Sequence, residues 1–204
     1  MSSHLTTVRR NVEASVRFKR QLLEDGRPEM IARIAVRLVE SFKSGGQLLL
    51  FGNGGSAADA QHIAAELVGR YRRERRSLPA IALGTNTSSL TAIGNDFGFD
   101  EVFSRQVEGL GRPGDVAFGI STSGNSENVV RGIEAARRGG LGTVVLTGAP
   151  GNRLEALADF CLAVPTTDTP HVQESHILVA HIICEIVEAE LFPDASSSSR
   201  RGFD

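Results

Sequence analysis

At 204 residues, with 41% apolar and 23% charged residues and no tryptophan, the chain has the make-up of one ordinary globular domain and is too short for two enzyme domains. A formal net charge of -2 argues against nucleic-acid binding, which draws on clustered excess Lys and Arg. No apolar run approaches the ~18 residues of a membrane span, the basic N-terminus has no apolar stretch behind it, and Cys161 and Cys184 are expected as free thiols, so a cytoplasmic protein that binds neither membrane nor nucleic acid is expected.

From about 4 to 44, apolar residues such as Val12, Val16, Ile31, Ile34, Val36 and Leu38 recur at helical spacing, with a break at Asp25-Gly26-Arg27-Pro28. This predicts a helical hairpin, residues 1–44, packing on a domain of residues 45–192. The only lysines, Lys19 and Lys43, fall in it. The unbroken apolar run 47–51, ending in glycines, reads as a strand buried on both faces, followed by a helix over 56–69 with Ser56 as its N-cap. Further strands are predicted over 80–84, 115–120, 143–146 and 161–164, with helices over 126–138 and 170–191. Strands alternating with helices imply an α/β fold: a five-stranded parallel sheet flanked by helices on both faces. The tail 193–204, with Ser196 to Ser199 in a row, is expected to be disordered.

Ligands of open α/β sheets sit outside the carboxyl ends of the strands. Two loops there are chemically unusual. Gly52-Asn53-Gly54-Gly55-Ser56 lets the backbone approach a ligand closely, but it is no dinucleotide fingerprint, because the glycine that G-x-G-x-x-G requires is Ala57, and no G-x-x-x-x-G-K-[ST] occurs. Ser121-Thr122-Ser123-Gly124-Asn125-Ser126 packs four hydroxyls between a strand and a helix N-terminus, where one would suffice for capping. Hydroxyls, free backbone N–H groups and a helix dipole make a site for a phosphate monoester without lysine or metal.

His62 and Glu66, at i and i+4, share one face of the helix after the glycine loop and can share a metal or a substrate. Gln173 and His181 are eight residues apart, about 12 Å of helix rise, so they meet one ligand only by reaching along the helix, by belonging to different subunits, or through an irregular first turn after Pro170. His176 reads as a core or interface histidine, His171 and His4 as exposed. Arg70, Arg72, Arg73, Arg75 and Arg76 read as a solvated loop whose Arg70 end could help neutralise a phosphate.

The two loops GNGGS and ISTSGNS resemble those of the SIS (sugar isomerase) domain family, whose members bind phosphosugars. Together with QHIAAELVGRYRRER, GNDFGFDEVFSRQVE and VQESHILVAHIICEIVE, the likeness narrows to the phosphoheptose isomerases and spans residues 10–192. The resemblance implies a single flavodoxin-like αβα domain that interconverts sedoheptulose 7-phosphate and D-glycero-D-manno-heptose 7-phosphate, the first step of ADP/GDP-heptose biosynthesis. It implies that Asn53, Gly54, Gly55, Ser56, Glu66, Asn95, Asp96 and Gln173 line the sugar, and that Ser121, Thr122, Ser123 and Ser126 hold the phosphate. It also implies a zinc site at His62, Glu66, Gln173 and His181, and a homotetramer with sites between subunits.

Aldose–ketose interconversion needs a base to move a proton between adjacent carbons and an acid to serve the oxygens, roles that Glu66 and His181 fit. A Schiff-base route needs a lysine, and Lys19 and Lys43 are expected away from the strands' carboxyl ends. Whether Glu66 is base, metal ligand or both stays open, since a metal-bound carboxylate is a weaker base. Two other readings stand beside this one: a non-catalytic SIS adaptor associated with replication initiation, whose kind lacks the acidic and second-histidine positions, and an SIS enzyme or sensor for another phosphosugar.

Overall fold

The computed structural model describes residues 2–193, so all but the first residue of the 193–204 tail lies outside the described residues. The chain opens with α1 (Ser2–Gln21) and α2 (Arg27–Lys43), which reverse at Asp25 and Gly26, both with positive φ. Pro28 stands in the first turn of α2, where its missing N–H leaves no hydrogen bond unmade. There follow β1 (Leu48–Gly52), α3 (Gly55–Val68), β2 (Ala80–Ala82), α4 (Thr87–Phe97), a 3-10 turn (Phe99–Glu101) and α5 (Ser104–Leu110). The second half adds β3 (Val116–Ser121), α6 (Glu127–Arg138), β4 (Gly142–Thr147), α7 (Arg153–Leu157), β5 (Phe160–Ala163) and α8 (Thr169–Leu191).

The five strands form one parallel sheet in the order β2-β1-β3-β4-β5, as expected for helical crossovers. Both faces are covered, so the strands alternate between two cores. Leu48, Leu50, Phe118, Ile120, Val144 and Leu146 pack with α2, α3 and α8, while Leu49, Phe51, Ala117 and Val145 face α5, α6 and α7. α2 is thereby built into the helical layer, contributing Ile34, Leu38 and Phe42 to the first core. α1 rests on α8 through Phe18, whose ring centroid lies 5.4 Å from that of His171. No helix of the described residues is long and apolar enough to cross a membrane.

Several expectations change. Ser56 does not cap α3: the N-cap is Gly54, and Ser56 is buried inside the first turn. His171, expected at the surface, is buried between Phe18, Asp168 and Glu174. Helices α4, α5 and α7 have no counterpart among the elements expected from the sequence. Lys43 ends α2 near the amino edge of β1, while Lys19 Nζ meets Ser15 Oγ of α1 at 2.8 Å and reaches Glu174 Oε2 in the second turn of α8 at 3.5 Å.

Candidate active site

The strand order reverses between β1 and β3, which pair with Gly52 opposite Ile120, so the two unusual loops emerge side by side at the switch point where open α/β sheets bind ligands. Gly52 allows the approach: a Cβ there would lie 2.7 Å from the Ile120 carbonyl oxygen. The loops are tied by a reciprocal amide pair, in which Asn53 Nδ2 donates to Asn128 Oδ1 at 2.8 Å and Asn128 Nδ2 donates to Asn53 Oδ1 at 3.0 Å.

In the 121–126 loop the serine hydroxyls converge. Ser121 Oγ is 3.0 Å from Ser126 Oγ and 3.4 Å from Ser123 Oγ. Ser126 stands at the N-cap of α6, yet its side chain makes no capping bond, so its hydroxyl does not satisfy the first amides of that helix. Gly124 makes the turn at φ +66°, donating its N–H to Ser121 O at 3.0 Å and lying against the Asn152 side chain. A cleft of about 340 Å³ opens over Thr122, Ser123 and Asn125 and is closed on the far side by Asn152, Thr167 and Thr169, a size at the lower end for small-ligand pockets. Glu127, next to the loop, is engaged by Arg153 and Arg131, whose hydrogen bonds hold its carboxyl below the usual range.

A second constellation lies on the outer helices. The Gln173 amide sits over Gly55, where a Cβ would come within 2.2 Å of its nitrogen, and His181 meets His62, so α8 runs alongside α3 in the same direction. His62 Nε2 lies 3.0 Å from His181 Nε2 and 3.3 Å from Glu66 Oε1. One donor atom from each of His62, Glu66 and His181 falls within 4.8 Å of the others. Two donors on a tetrahedral zinc stand about 3.3 Å apart, so the spacing and the donor set, two imidazoles and a carboxylate with a position left open, fit that metal. Gln173 is not gathered with them; it lies two turns nearer the glycine loop.

Residues beyond those expected from sequence complete this region. Asp59, one turn before His62 on the same face of α3, has an Oδ2 without a hydrogen-bond partner among the described residues. Burial raises its carboxyl above the usual range, partly opposed by His62. Tyr71 stacks on His181, with ring centroids 5.6 Å apart and planes at 23°. The arginine run is not simply solvated. Glu188, 2% exposed, accepts the backbone N–H groups of Tyr71 (3.1 Å), Arg72 (2.8 Å) and Arg73 (2.9 Å) and pairs with Arg75 Nε at 2.9 Å. Burial alone would push the Glu188 carboxyl up, but these four donors outweigh it and hold it below the usual range. Arg75 also donates to the Glu66 and Leu67 carbonyls, at 2.9 and 2.8 Å, closing the end of α3. Nothing in the sequence marked Glu188 among the polar positions of α8.

Asn95 and Asp96 stand apart from both constellations. Asn95 donates to Asp96 at 2.8 Å, and Asp96 opens on a different cleft beside the edge strand β2, lined also by Ile81, Phe97 and Arg105.

The family model described as "SIS domain" matches residues 12–148. A phosphoheptose isomerase of Roseiflexus sp. (strain RS-1) is 60% identical over 183 residues, 90% of this chain and 92% of that one. Among solved structures, the phosphoheptose isomerase of Neisseria gonorrhoeae superposes with a TM-score of 0.86 at 42% identity, covering 91% of this chain and 98% of that one. That of Francisella tularensis gives 0.86 at 35% identity, covering 90% and 97%. With the Ser121–Ser126 loop at the switch point and a histidine–glutamate cluster on α3 and α8, the chain belongs to the SIS domain family, on its phosphoheptose isomerase branch.

Proposed function

We propose that the chain is an aldose–ketose isomerase that interconverts D-sedoheptulose 7-phosphate and D-glycero-D-manno-heptose 7-phosphate, working in the cytoplasm as a homotetramer with one zinc per subunit. The observation that carries the reading is the pairing, in one fold, of an anion cradle free of lysine with a His62–Glu66–His181 cluster on the helix that follows the glycine loop. The names of the relatives support the substrate class.

The hydroxyls of Ser121, Thr122, Ser123 and Ser126 and the open amides of α6 take the phosphate, and Asn53, Gly54, Gly55 and Gln173 border the sugar. Ser56 serves through its backbone, since its side chain is buried. His62, Glu66 and His181 would hold the zinc, and Gln173, the fourth ligand that the resemblance implies, would have to reach it from another subunit, since within one chain it lies against Gly55, two turns away. Zinc, when bound, supplies Lewis-acid polarisation of the substrate's oxygens. With Glu66 Oε1 and His181 Nε2 turned to the cluster, Glu66 moves the proton between the two adjacent carbons through its other oxygen, and His181 exchanges protons with the substrate oxygens through Nδ1. The ammonium of Lys19 is committed to Glu174 and Ser15, which disfavours a Schiff base. The retained Glu66 and His181, brought together here, disfavour the adaptor reading.

The test is turnover of sedoheptulose 7-phosphate by the purified protein with and without chelator, beside Glu66→Gln. Activity is expected with zinc, lost on chelation and restored by zinc. Glu66→Gln is expected to lower kcat by about 10²- to 10⁴-fold with the melting temperature retained. No turnover by the wild type with zinc present sinks the isomerase assignment.

A further inference from the structure

His181 needs one particular ring orientation if its Nε2 is to face His62 and Glu66, and a half-buried imidazole on a helix surface does not hold that orientation unaided. Two contacts restrict it. The His62 ring meets it edge-on, with centroids 5.2 Å apart and planes at 68°. Tyr71 covers its face at 5.6 Å and 23°, within the range of an offset aromatic stack. Tyr71 in turn lies in an irregular segment between α3 and β2 and has no element of its own to fix it. What fixes it is Glu188.

Glu188 lies seven residues after His181, two turns further along the same face of α8. Its carboxylate fills a nest of three successive amides, those of Tyr71, Arg72 and Arg73, and its pairing with Arg75 is nearly dry, with side chains 1% and 2% exposed. Arg75 holds the carbonyl of Glu66 at 2.9 Å with its other arm. The latch therefore ties the end of α3, which carries Glu66, to α8, which carries His181, and sets the Tyr71 ring between them.

We propose that Tyr71 is a positioning residue for the metal cluster: held by the Glu188–Arg75 latch, its ring fixes the plane of His181 so that Nε2 points at His62 and Glu66. The inference rests on the zinc reading of that cluster, deepens it, and gives the arginine run a role apart from phosphate neutralisation.

Cobalt(II) binding to the full-length protein, followed by chelator competition and by the visible absorption of the bound ion, reads the geometry directly, with turnover of sedoheptulose 7-phosphate measured separately. Tyr71→Leu is expected to weaken metal affinity by about 10- to 100-fold, as loss of a group that orients a ligand does, to alter the absorption band, and to lower kcat more than it raises KM. Tyr71→Phe, which keeps the ring, keeps the affinity and the band. Glu188→Gln is expected to follow Tyr71→Leu; should it fail to fold, the two Tyr71 variants decide. Wild-type affinity and band in Tyr71→Leu, or equal damage in Tyr71→Phe, overturns the inference. A wild type that binds no cobalt overturns it together with the metal assignment, whereas a wild type that binds cobalt without turning over substrate sinks only the isomerase reading.

Discussion

His176 lies in α8 with no exposed surface, its Nε2 3.0 Å from the Thr147 carbonyl oxygen and its Nδ1 without a partner among the described residues. The neutral ring, with its proton on Nε2, donates to that carbonyl and ties α8 to the end of β4. Burial pushes its pKa down from 6.5 to about 4, the hydrogen bond to Thr147 opposing this only in part. Since the folded state binds the proton more weakly than the unfolded chain, the ring contributes stability in full above pH 6.5 and loses it as the pH falls towards 4. Urea denaturation across that interval is expected to register a loss of up to about 3 kcal/mol, and His176→Gln is expected to flatten the slope. An unchanged slope in the variant rules this out. The core placement of His176 was legible from its position in an apolar-periodic helix. That of His171 was not, because what buries it is Phe18 on α1, far away in sequence.

At the scale of elements, the 121–126 loop shows how one glycine sets the use of three serine hydroxyls. Gly124 turns the chain at φ +66°, which brings Ser121, Ser123 and Ser126 round to one point. A Cβ on it would fall 2.1 Å from Asn152 Cγ. Asn152 cannot give way: its Oδ1 caps α7 through Glu155 N at 3.1 Å, and its Nδ2 donates to Thr147 Oγ1 at 3.2 Å and Ala149 O at 3.1 Å. Gly124→Ala is therefore expected to cost about 2–3 kcal/mol of stability and, by displacing the hydroxyls, to raise KM for the phosphosugar by about tenfold or more. Thermal melting and steady-state kinetics check both; an unshifted KM refutes the loop's role in holding phosphate. The loop announced itself by composition, and β1, β3 and β4 did so as unbroken apolar runs. Helix α4 was invisible to the same reading because none of its residues is fully buried, so it carries no apolar stripe to count, and five-residue α7 is too short to have one. Ser56 misled because a serine after glycines looks like a cap, whereas here Gly54 takes that position and the hydroxyl turns inward.

Across the whole molecule, one chain does not gather all the residues that the family resemblance assigns to the site. The Ser121–Ser126 loop lies at the β1/β3 switch point, the His62–Glu66–His181 cluster on α3 and α8, and Asp96 beside the edge strand β2 in a separate cleft. Leu5, Val8, Val12 and Val16 also leave an apolar stripe exposed along α1. Both features fit an assembly in which Asn95 and Asp96 of one subunit reach the cradle and cluster of another. The sequence could supply the residues but not this division, since spacing along a chain carries no information on which copy contributes what. Complementation tests it. Asp96→Ala and Glu66→Gln are each expected to be inactive alone. Mixed in equal amounts by reversible dissociation, they should regain about a quarter of wild-type turnover, because sites joining an intact Asp96 from one subunit to an intact Glu66 from the other arise at that frequency. Light scattering before and after mixing confirms that subunits have exchanged. If exchange occurs and activity stays at the level of the separate variants, Asp96 and Glu66 act within one chain and the proposed shared site is wrong.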